Sequence, residues 1–507
     1  MSTAPSASYS IVVRLDVPAG GRAVSLLAGA VEEVGGVVTA LDVSASAGEH
    51  LQVDLTCAAA DTGQADRIVA ALAEVEGVRL GKVSDRTFLL HLGGKIEMNS
   101  RVPIRNRDDL SMVYTPGVAR ICRAIVANPE DARRLTIKRN TIAVVTDGSA
   151  VLGLGNIGPT AALPVMEGKA ALFKRFAGID AFPICLDTQD VDEIVRTVKH
   201  IAPVFAGINL EDISAPRCFE VERRLRAELD IPVFHDDQHG TAIVVLAALT
   251  NALKVVGKEL STVRLVMSGA GAAGFAILRL LMAAGLTDVV VCDIGGAVHA
   301  GRTDLTPELD WVVAHTNRRD HRGDVHAALA GADVFIGVSA PDVIDSADVA
   351  TMAPGAVVFA LANPDPEIDP VLAREHAAVV ATGRSDYPNQ INNVLVFPGV
   401  FRGLLDARSR EITPAVLVAA ARALAAVVRP EELNANYIVP SVFHPGLSST
   451  VAAAVVAATG SLPWSDDEPG VQPEASAAPA GTPAGTSATL AGTPAGAPRG
   501  PDRPAAR

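Results

Sequence analysis

Two pairs of adjacent carboxylates carry the strongest chemical signal in the chain: Glu211-Asp212 and Asp236-Asp237. Each pair follows a short apolar run, VFAGIN (204–209) and IPVF (231–234), that reads as a β-strand. Between them SAPRCFEVERRLRAEL reads as a helix. A strand–helix–strand unit makes its strands parallel, and open parallel sheets bind ligands at the carboxyl ends of their strands. Four carboxylates gathered there repel one another unless protons or a cation neutralise them. A divalent metal site is therefore expected. The plainer alternative is a pair of solvated loop ends, because Asp is common in turns.

A second group of residues has the types needed for proton transfer and substrate binding. In PVMEGKAALFKRFA (164–177), Val165, Lys169, Leu172 and Phe176 share one stripe at helical spacing. Pro164 suits the first helical position and Gly178 the stop. Burial on that apolar face would lower the Lys169 pKa and fit it to act as a base; a snorkelling lysine is the equal alternative. Tyr114, one of four tyrosines, precedes the turn Thr115-Pro116-Gly117 and alone reads as a packing residue. Asn363 follows the strand AVVFALA, and Asn392-Asn393 precede VLVF. Amides in a cleft bind carboxylate and hydroxyl oxygens without adding charge, although each alone is more often a turn residue.

The chain holds two G-x-G-x-x-G matches, and context separates them. Gly269-Ala-Gly271-Ala-Ala-Gly274 follows the strand VRLVM, opens the helix FAILRLLMAAG, and is succeeded by DVVVCD ending at Asp293. That is a complete dinucleotide-binding unit, with Gly269, Gly271, Ala272, Ala273 and Gly274 in the phosphate loop. Helix N–H groups would meet the pyrophosphate. Asp293 would meet the adenosine ribose, which favours NAD while leaving NADP open. The other match, Gly153-Leu-Gly155-Asn-Ile-Gly158, runs into Pro159 and Pro164 and reads as a loop beside the substrate.

These residues need a scaffold of several domains. At 507 residues, 49% apolar, the chain can form two or three cores. Residues 9–90 read as β-α-β-β-α-β, a ferredoxin-like α+β module closed by a strand across VRLGKVSDRTFLL. That order resembles an ACT domain, which implies a small-molecule regulator; a dimerisation module is the alternative. Strands and helices alternate from about 95 onward, which predicts α/β architecture. The expected division is an α/β substrate and metal domain over 95–250 and a Rossmann NAD(P)-binding domain over 251–463. A Pro/Ala/Gly-rich tail at 465–507 reads as disordered.

The net charge of -14 speaks against nucleic acid and anionic membranes as partners. The apolar runs 241–253 and 451–460 suit buried helices better than membrane spans. With no secretory pattern at the start, a cytoplasmic location is expected. Five scattered cysteines without C-x-x-C read as small core residues.

In this order, YTPGVA, LGLGNIG, MEGKA, NLEDI, HDDQHGTA, SGAGAAG, ANPDPE and NNVLVFPG resemble bacterial malic enzyme, over roughly residues 90–460. The resemblance implies oxidative decarboxylation of L-malate to pyruvate and CO2, with NAD(P) reduced and Mg2+ or Mn2+ required. On the matching positions it implies Glu211, Asp212 and Asp237 as metal ligands, Tyr114 as general acid and Lys169 as general base at the substrate. It also implies Gly271 to Gly274 as the cofactor loop, and Asn363 and Asn393 as substrate- and nicotinamide-side amides. Asp236 is left as an orienting acid, and a homodimer or higher homo-oligomer is expected. The chain departs from the eukaryotic pattern after Thr146-Asp147-Gly148, where Ser149-Ala150-Val151 replaces the arginine that grips the substrate carboxylate. Two other functions compete: a metal-independent Rossmann dehydrogenase of another small acid, and a non-catalytic metabolite sensor.

Overall fold

Alternation builds the first module. In β1 (Ser6–Pro18) Ile11, Val13, Leu15 and Val17 point to one buried face. The helices α1 (Ala23–Glu33) and α2 (Thr62–Ala73) cover that face through Leu27, Val31, Ile68 and Leu72. With β2 (Val37–Ala47), β3 (His50–Ala59) and β4 (Arg79–Asp85) the sheet order is β2-β3-β1-β4, antiparallel throughout. This is the split β-α-β arrangement expected from the sequence. The closing strand is shorter than expected. It stops at Asp85, whose carboxylate accepts from Thr87 N and Phe88 N and starts a helix over the TFLL segment. The computed structural model describes residues 5–19, 22–47 and 49–460, so the expected tail lies outside the described residues.

An arm of short helices follows: α3 (Arg86–His91), α4 (Arg107–Val113), α5 (Val118–Ala127) and α6 (Asp131–Leu135). The first three bury no residue at all. Strand–helix alternation therefore begins at 141, not at about 95. Cys122 lies on α5 and is exposed, which corrects its reading as a core residue; Cys57, Cys218 and Cys292 are buried.

The next sheet is wholly parallel. It is built from β5 (Thr141–Thr146), β6 (Asp180–Cys185), β7 (Gly207–Leu210) and β8 (Val233–His235), in the order β6-β5-β7-β8. Its connecting helices are α7 (Pro159–Ala177), α8 (Val191–Ile201) and α9 (Arg217–Glu228). The strand order reverses between β5 and β7, and parallel sheets open a crevice at such a point. Pro164 lies inside α7 rather than at its start. Gly158, at φ 80°, turns the chain, and Pro159 takes the first helical position.

A π-helical turn, Asp236–Gly240, leads into α10 (Thr241–Val256). Turn and helix together are long and apolar enough to cross a membrane, yet 67% of their most apolar 18 residues are buried inside the protein. The expected domain division at residue 250 falls within α10, whose two halves share one core. The last sheet comprises β9 (Arg264–Ser268), β10 (Asp288–Asp293), β11 (Gly296–Ala297), β12 (Val334–Gly337), β13 (Val357–Ala360) and β14 (Val379–Thr382). Its order is β11-β10-β9-β12-β13-β14, parallel except for β11. The helices α11 (Ala272–Ala283), α12 (Pro307–His315), α13 (Val325–Leu329), α14 (Ser346–Ala350) and α15 (Pro370–Ala373) connect it. Three more, α16 (Phe397–Asp406), α17 (Pro414–Val427) and α18 (Leu447–Thr459), pack with α10 into the largest core.

Candidate active site

The carboxyl ends of β7 and β8 lie side by side, which brings the two acidic pairs together. Oxygen atoms of Glu211, Asp212 and Asp237 all lie within 4.8 Å of one another. The fourth acid, the neighbour of Asp237 on the π-helical turn, makes a different contact. Asp236 turns to Lys169, whose Nζ donates to its Oδ2 at 2.6 Å. Lys169 Nζ also stands 2.9 Å from Glu211 Oε1 and 4.3 Å from the centre of the Phe397 ring. Asn393 Nδ2 donates to Asp236 Oδ2 at 3.1 Å, and its own oxygen accepts from Thr241. Gly240 makes room for this arrangement, because a Cβ there would stand 2.0 Å from Asp236 Oδ1.

The electrostatics are unbalanced. Four carboxylates face one ammonium, and Glu211, Asp212 and Asp236 are buried. Burial pushes the Asp212 carboxyl up to about 8, with Asp237 adding to the effect. Burial likewise raises Glu211 well above the carboxylate range, against the pull of Lys169. For Lys169, burial favours the neutral form, but Asp236 and Glu211 outweigh it and hold the ammonium charged. The expected lowering of the Lys169 pKa is thus reversed while Glu211 is its ion partner.

Several features fit these acids to a hard cation. The donor set is oxygen only, which suits Mg2+ or Mn2+. Asp212 Oδ2 is buried without a hydrogen-bond partner. Asp212 also takes a left-handed backbone conformation, φ 55°, which a non-glycine residue adopts at a cost. Side chains with no chemical signature in the sequence hold this geometry. Asn209 Nδ2 donates to Glu211 Oε2 at 2.8 Å, and Asp237 Oδ2 accepts from Asp212 N at 2.9 Å. Ser149, in the segment where an arginine is missing, bonds Asp147 and accepts from Ser214 N. It thereby ties the loop after β5 to the loop that carries Asp212. The buried ring of His235 stands 3.7 Å from Asp237. Asn209, His235 and Phe397 lie inside the sequence motifs and Ser149 in the segment without the arginine, but their residue types alone gave no cue to these roles.

The π-helical turn packs on α11, which joins the acids to the second glycine motif. Gly269 follows β9 at φ 105°, and a Cβ on Gly274 would meet Gly269 O at 2.0 Å. Only glycine permits that closeness of helix to strand. No side chain caps the start of α11, so its first N–H groups remain for an anion. Asp293 ends β10 beside this loop. Asn363 is exposed after β13, with its backbone oxygen against Gly153 of the first glycine motif, which forms a loop between β5 and α7. Tyr114 makes no side-chain hydrogen bond to the ion-paired cluster among the described residues. It follows α4 and is 65% exposed, so it is not the packing residue its spacing suggested.

Comparison with known proteins agrees with this architecture. The family model for the malic enzyme N-terminal domain matches residues 93–226, and that for the malic enzyme NAD binding domain matches 238–459. The NAD-dependent malic enzyme of Geobacillus stearothermophilus is 56% identical over 458 residues, 90% of this chain and 96% of that one. The bifunctional malic/malolactic enzyme of Bacillus subtilis is 53% identical over 382 residues, 74% of this chain and 93% of that one. The crystal structure of NAD-dependent malic enzyme from Thermotoga maritima superposes with a TM-score of 0.71 at 48% identity, covering 74% of this chain and 99% of that one. With the two malic enzyme family models matched in succession and relatives 53–56% identical over most of both chains, the chain belongs to the malic enzyme family.

Proposed function

We propose that the protein oxidatively decarboxylates L-malate to pyruvate and CO2 with NAD as the hydride acceptor. The observation that carries this reading is the junction of three oxygen ligands, a buried lysine and a dinucleotide loop across one crevice. When bound, NAD supplies the hydride acceptor, and a Mg2+ or Mn2+ ion held by Glu211, Asp212 and Asp237 supplies Lewis acidity toward the substrate oxygen.

The chain's own residues then divide the proton work. Lys169 takes the proton of the C2 hydroxyl as the C2 hydride departs. A cation engaged by Glu211 would weaken one of the two acids that hold Lys169 charged, leaving Asp236 as its close partner. Oxidation at C2 leaves a keto group β to the C4 carboxylate. The C3–C4 bond breaks with loss of CO2, its electron pair moves toward the C2 oxygen, and Tyr114 donates a proton to C3. Asn393, held by Asp236 and Thr241, presents an amide beside Lys169, and Asn363 presents a second from the nucleotide side.

Asp293 supports NAD as the preferred cofactor, because a carboxylate at that strand end suits a ribose hydroxyl better than a phosphate. Residues 6–85 supply a regulatory module for a small molecule. The arm supports a homo-oligomer: Phe88, Leu90, Leu92, Met98, Met112 and Val126 are each more than two-thirds exposed, and a second copy of the chain would cover them. One assay tests the central reading: NADH formation should require malate and Mn2+ together. Turnover that survives chelation would point to a metal-independent dehydrogenase instead.

A further inference from the structure

A three-residue ion cluster stands at the nucleotide end of β10, outside the phosphate-loop signature. Asp293 Oδ1 accepts from Gly295 N at 2.8 Å and from Arg302 Nη1 at 2.6 Å. Arg302 turns its other edge, Nε and Nη2, to the two oxygens of Asp304. The guanidinium is 9% exposed, whereas Asp304 is 64% exposed. Hydrogen bonds to Asp304 and Asp293 hold the Arg302 charge fixed, and Arg302 holds Asp304 below the usual carboxylate range. Gly295 is part of the same device, because a Cβ there would stand 2.9 Å from Arg302 Nη2. Beside it the Ile294 side chain is fully exposed, an apolar surface with no protein partner.

We infer that Asp304 sets the preference between 2′-hydroxyl and 2′-phosphate nucleotides by engaging Arg302. The inference rests on the reading of β9, α11 and β10 as the dinucleotide site and extends it to a residue beyond that unit. An arginine beside the strand-end acid is the group that accommodates a 2′-phosphate. Here that arginine is present but committed. Its Nε–Nη2 edge is bidentate on Asp304, and Nη1 holds Asp293. Two acids and one guanidinium leave the cluster with one net negative charge, which repels a phosphate and accepts a ribose hydroxyl. Asp293 Oδ2 takes no hydrogen bond from the described residues and stays open for that hydroxyl. Replacing Asp304 removes the surplus charge and frees the edge that matches phosphate geometry.

The test uses the full chain and two fragments, ADP and adenosine 2′,5′-bisphosphate, with affinities measured by calorimetry in the unaltered protein, Asp304→Asn, Asp293→Asn and Asp304→Asn/Arg302→Gln. In Asp304→Asn the affinity ratio of the bisphosphate to ADP should rise about tenfold, a change of about 1.4 kcal/mol in discrimination. In Asp304→Asn/Arg302→Gln that gain should vanish. An unchanged ratio in Asp304→Asn, or a gain that survives loss of Arg302, overturns the inference. Asp293→Asn separates the two levels of the argument. If it weakens ADP while Asp304→Asn leaves the ratio unmoved, the nucleotide site stands and the role of Asp304 falls. If it leaves ADP binding intact, the site itself is misplaced and both fall. Unfolding temperatures of the variants serve as the folding control, since an exposed Asp304 carries little of the core.

Discussion

The acid cluster after β7 and β8 and the ion cluster after β10 occupy equivalent places, the carboxyl ends of parallel strands, and have opposite electrostatic characters. Around Lys169, four carboxylates share one cation, Asp212 is pushed up to about 8, and Asp212 Oδ2 and Asp236 Oδ1 are buried without partners. Around Arg302, every charge has a short partner, and the titration shifts of Arg302 and Asp304 favour the charged forms. The first cluster is incomplete without a ligand. The second is complete and can discriminate between ligands without needing one to fold. Unpaired buried charge therefore marks where chemistry is done, and paired charge marks where a choice is made.

The largest effects should come from breaking the incomplete cluster. Lys169→Ala and Tyr114→Phe should each lower kcat by about 10²–10⁴ while KM for malate changes far less. Steady-state kinetics checks this, and near-normal kcat in both variants would remove the acid–base assignment. Next, the two neighbouring aspartates should separate. Asp237→Asn should weaken Mn2+ binding by more than the roughly 10–100-fold typical of a group that only orients a ligand. Asp236→Asn should cost less metal affinity and instead shift the pH profile of kcat, because its direct partner is Lys169. A larger Mn2+ loss in Asp236→Asn would reverse the two roles.

The pH dependence of stability sharpens the same contrast. Asp212 is raised to about 8 in the folded, metal-free protein, against roughly 3.9 in an unfolded chain. A raised carboxyl stabilises the fold at low pH and loses that contribution as pH climbs through its folded value. The Tm of chelator-treated protein should therefore fall between about pH 4 and pH 8 relative to the Mn2+-loaded protein. The gain in Tm from added Mn2+ should widen over the same interval. Thermal scans at matched ionic strength measure both, and parallel curves would show that Asp212 is not a ligand. The smallest effect belongs to the complete cluster. Arg302→Gln should cost about 1.5–3 kcal/mol of stability, the range for a hydrogen bond to a charged group, with little response to Mn2+.

Much of this arrangement was legible in local pattern. Alternation and helical spacing revealed the β-α-β-β-α-β module, and strand-to-helix context separated the glycine motif that opens α11 from the loop at 153–158. The two acidic pairs were visible because an apolar strand run ends just before each. Local pattern failed where the backbone departs from regular repeat. Asp85 looks like one more strand residue until its carboxylate caps a helix. Pro164 looks like a helix start until Gly158 and Pro159 begin the helix a turn and a half earlier.

What residue order carries is type and short-range spacing: carboxylates at strand ends, glycine where a helix must touch a strand, an acid closing β10. Those depend on contacts a few residues long, so the chain states them directly. The division of labour between Asp236 and Asp237 is different, since the two are chemically identical and adjacent. A π-helical turn aims one at Lys169 and the other at Asp212, and no composition records that rotation. The charge state of Lys169 is settled in the same way. Its helix stripe predicts desolvation, but the sign of the shift depends on Glu211 and Asp236, which β7 and β8 deliver from elsewhere in the chain. Coulomb interactions at 2.6–2.9 Å in a buried site outweigh desolvation, and those distances exist only once the parallel sheet has closed.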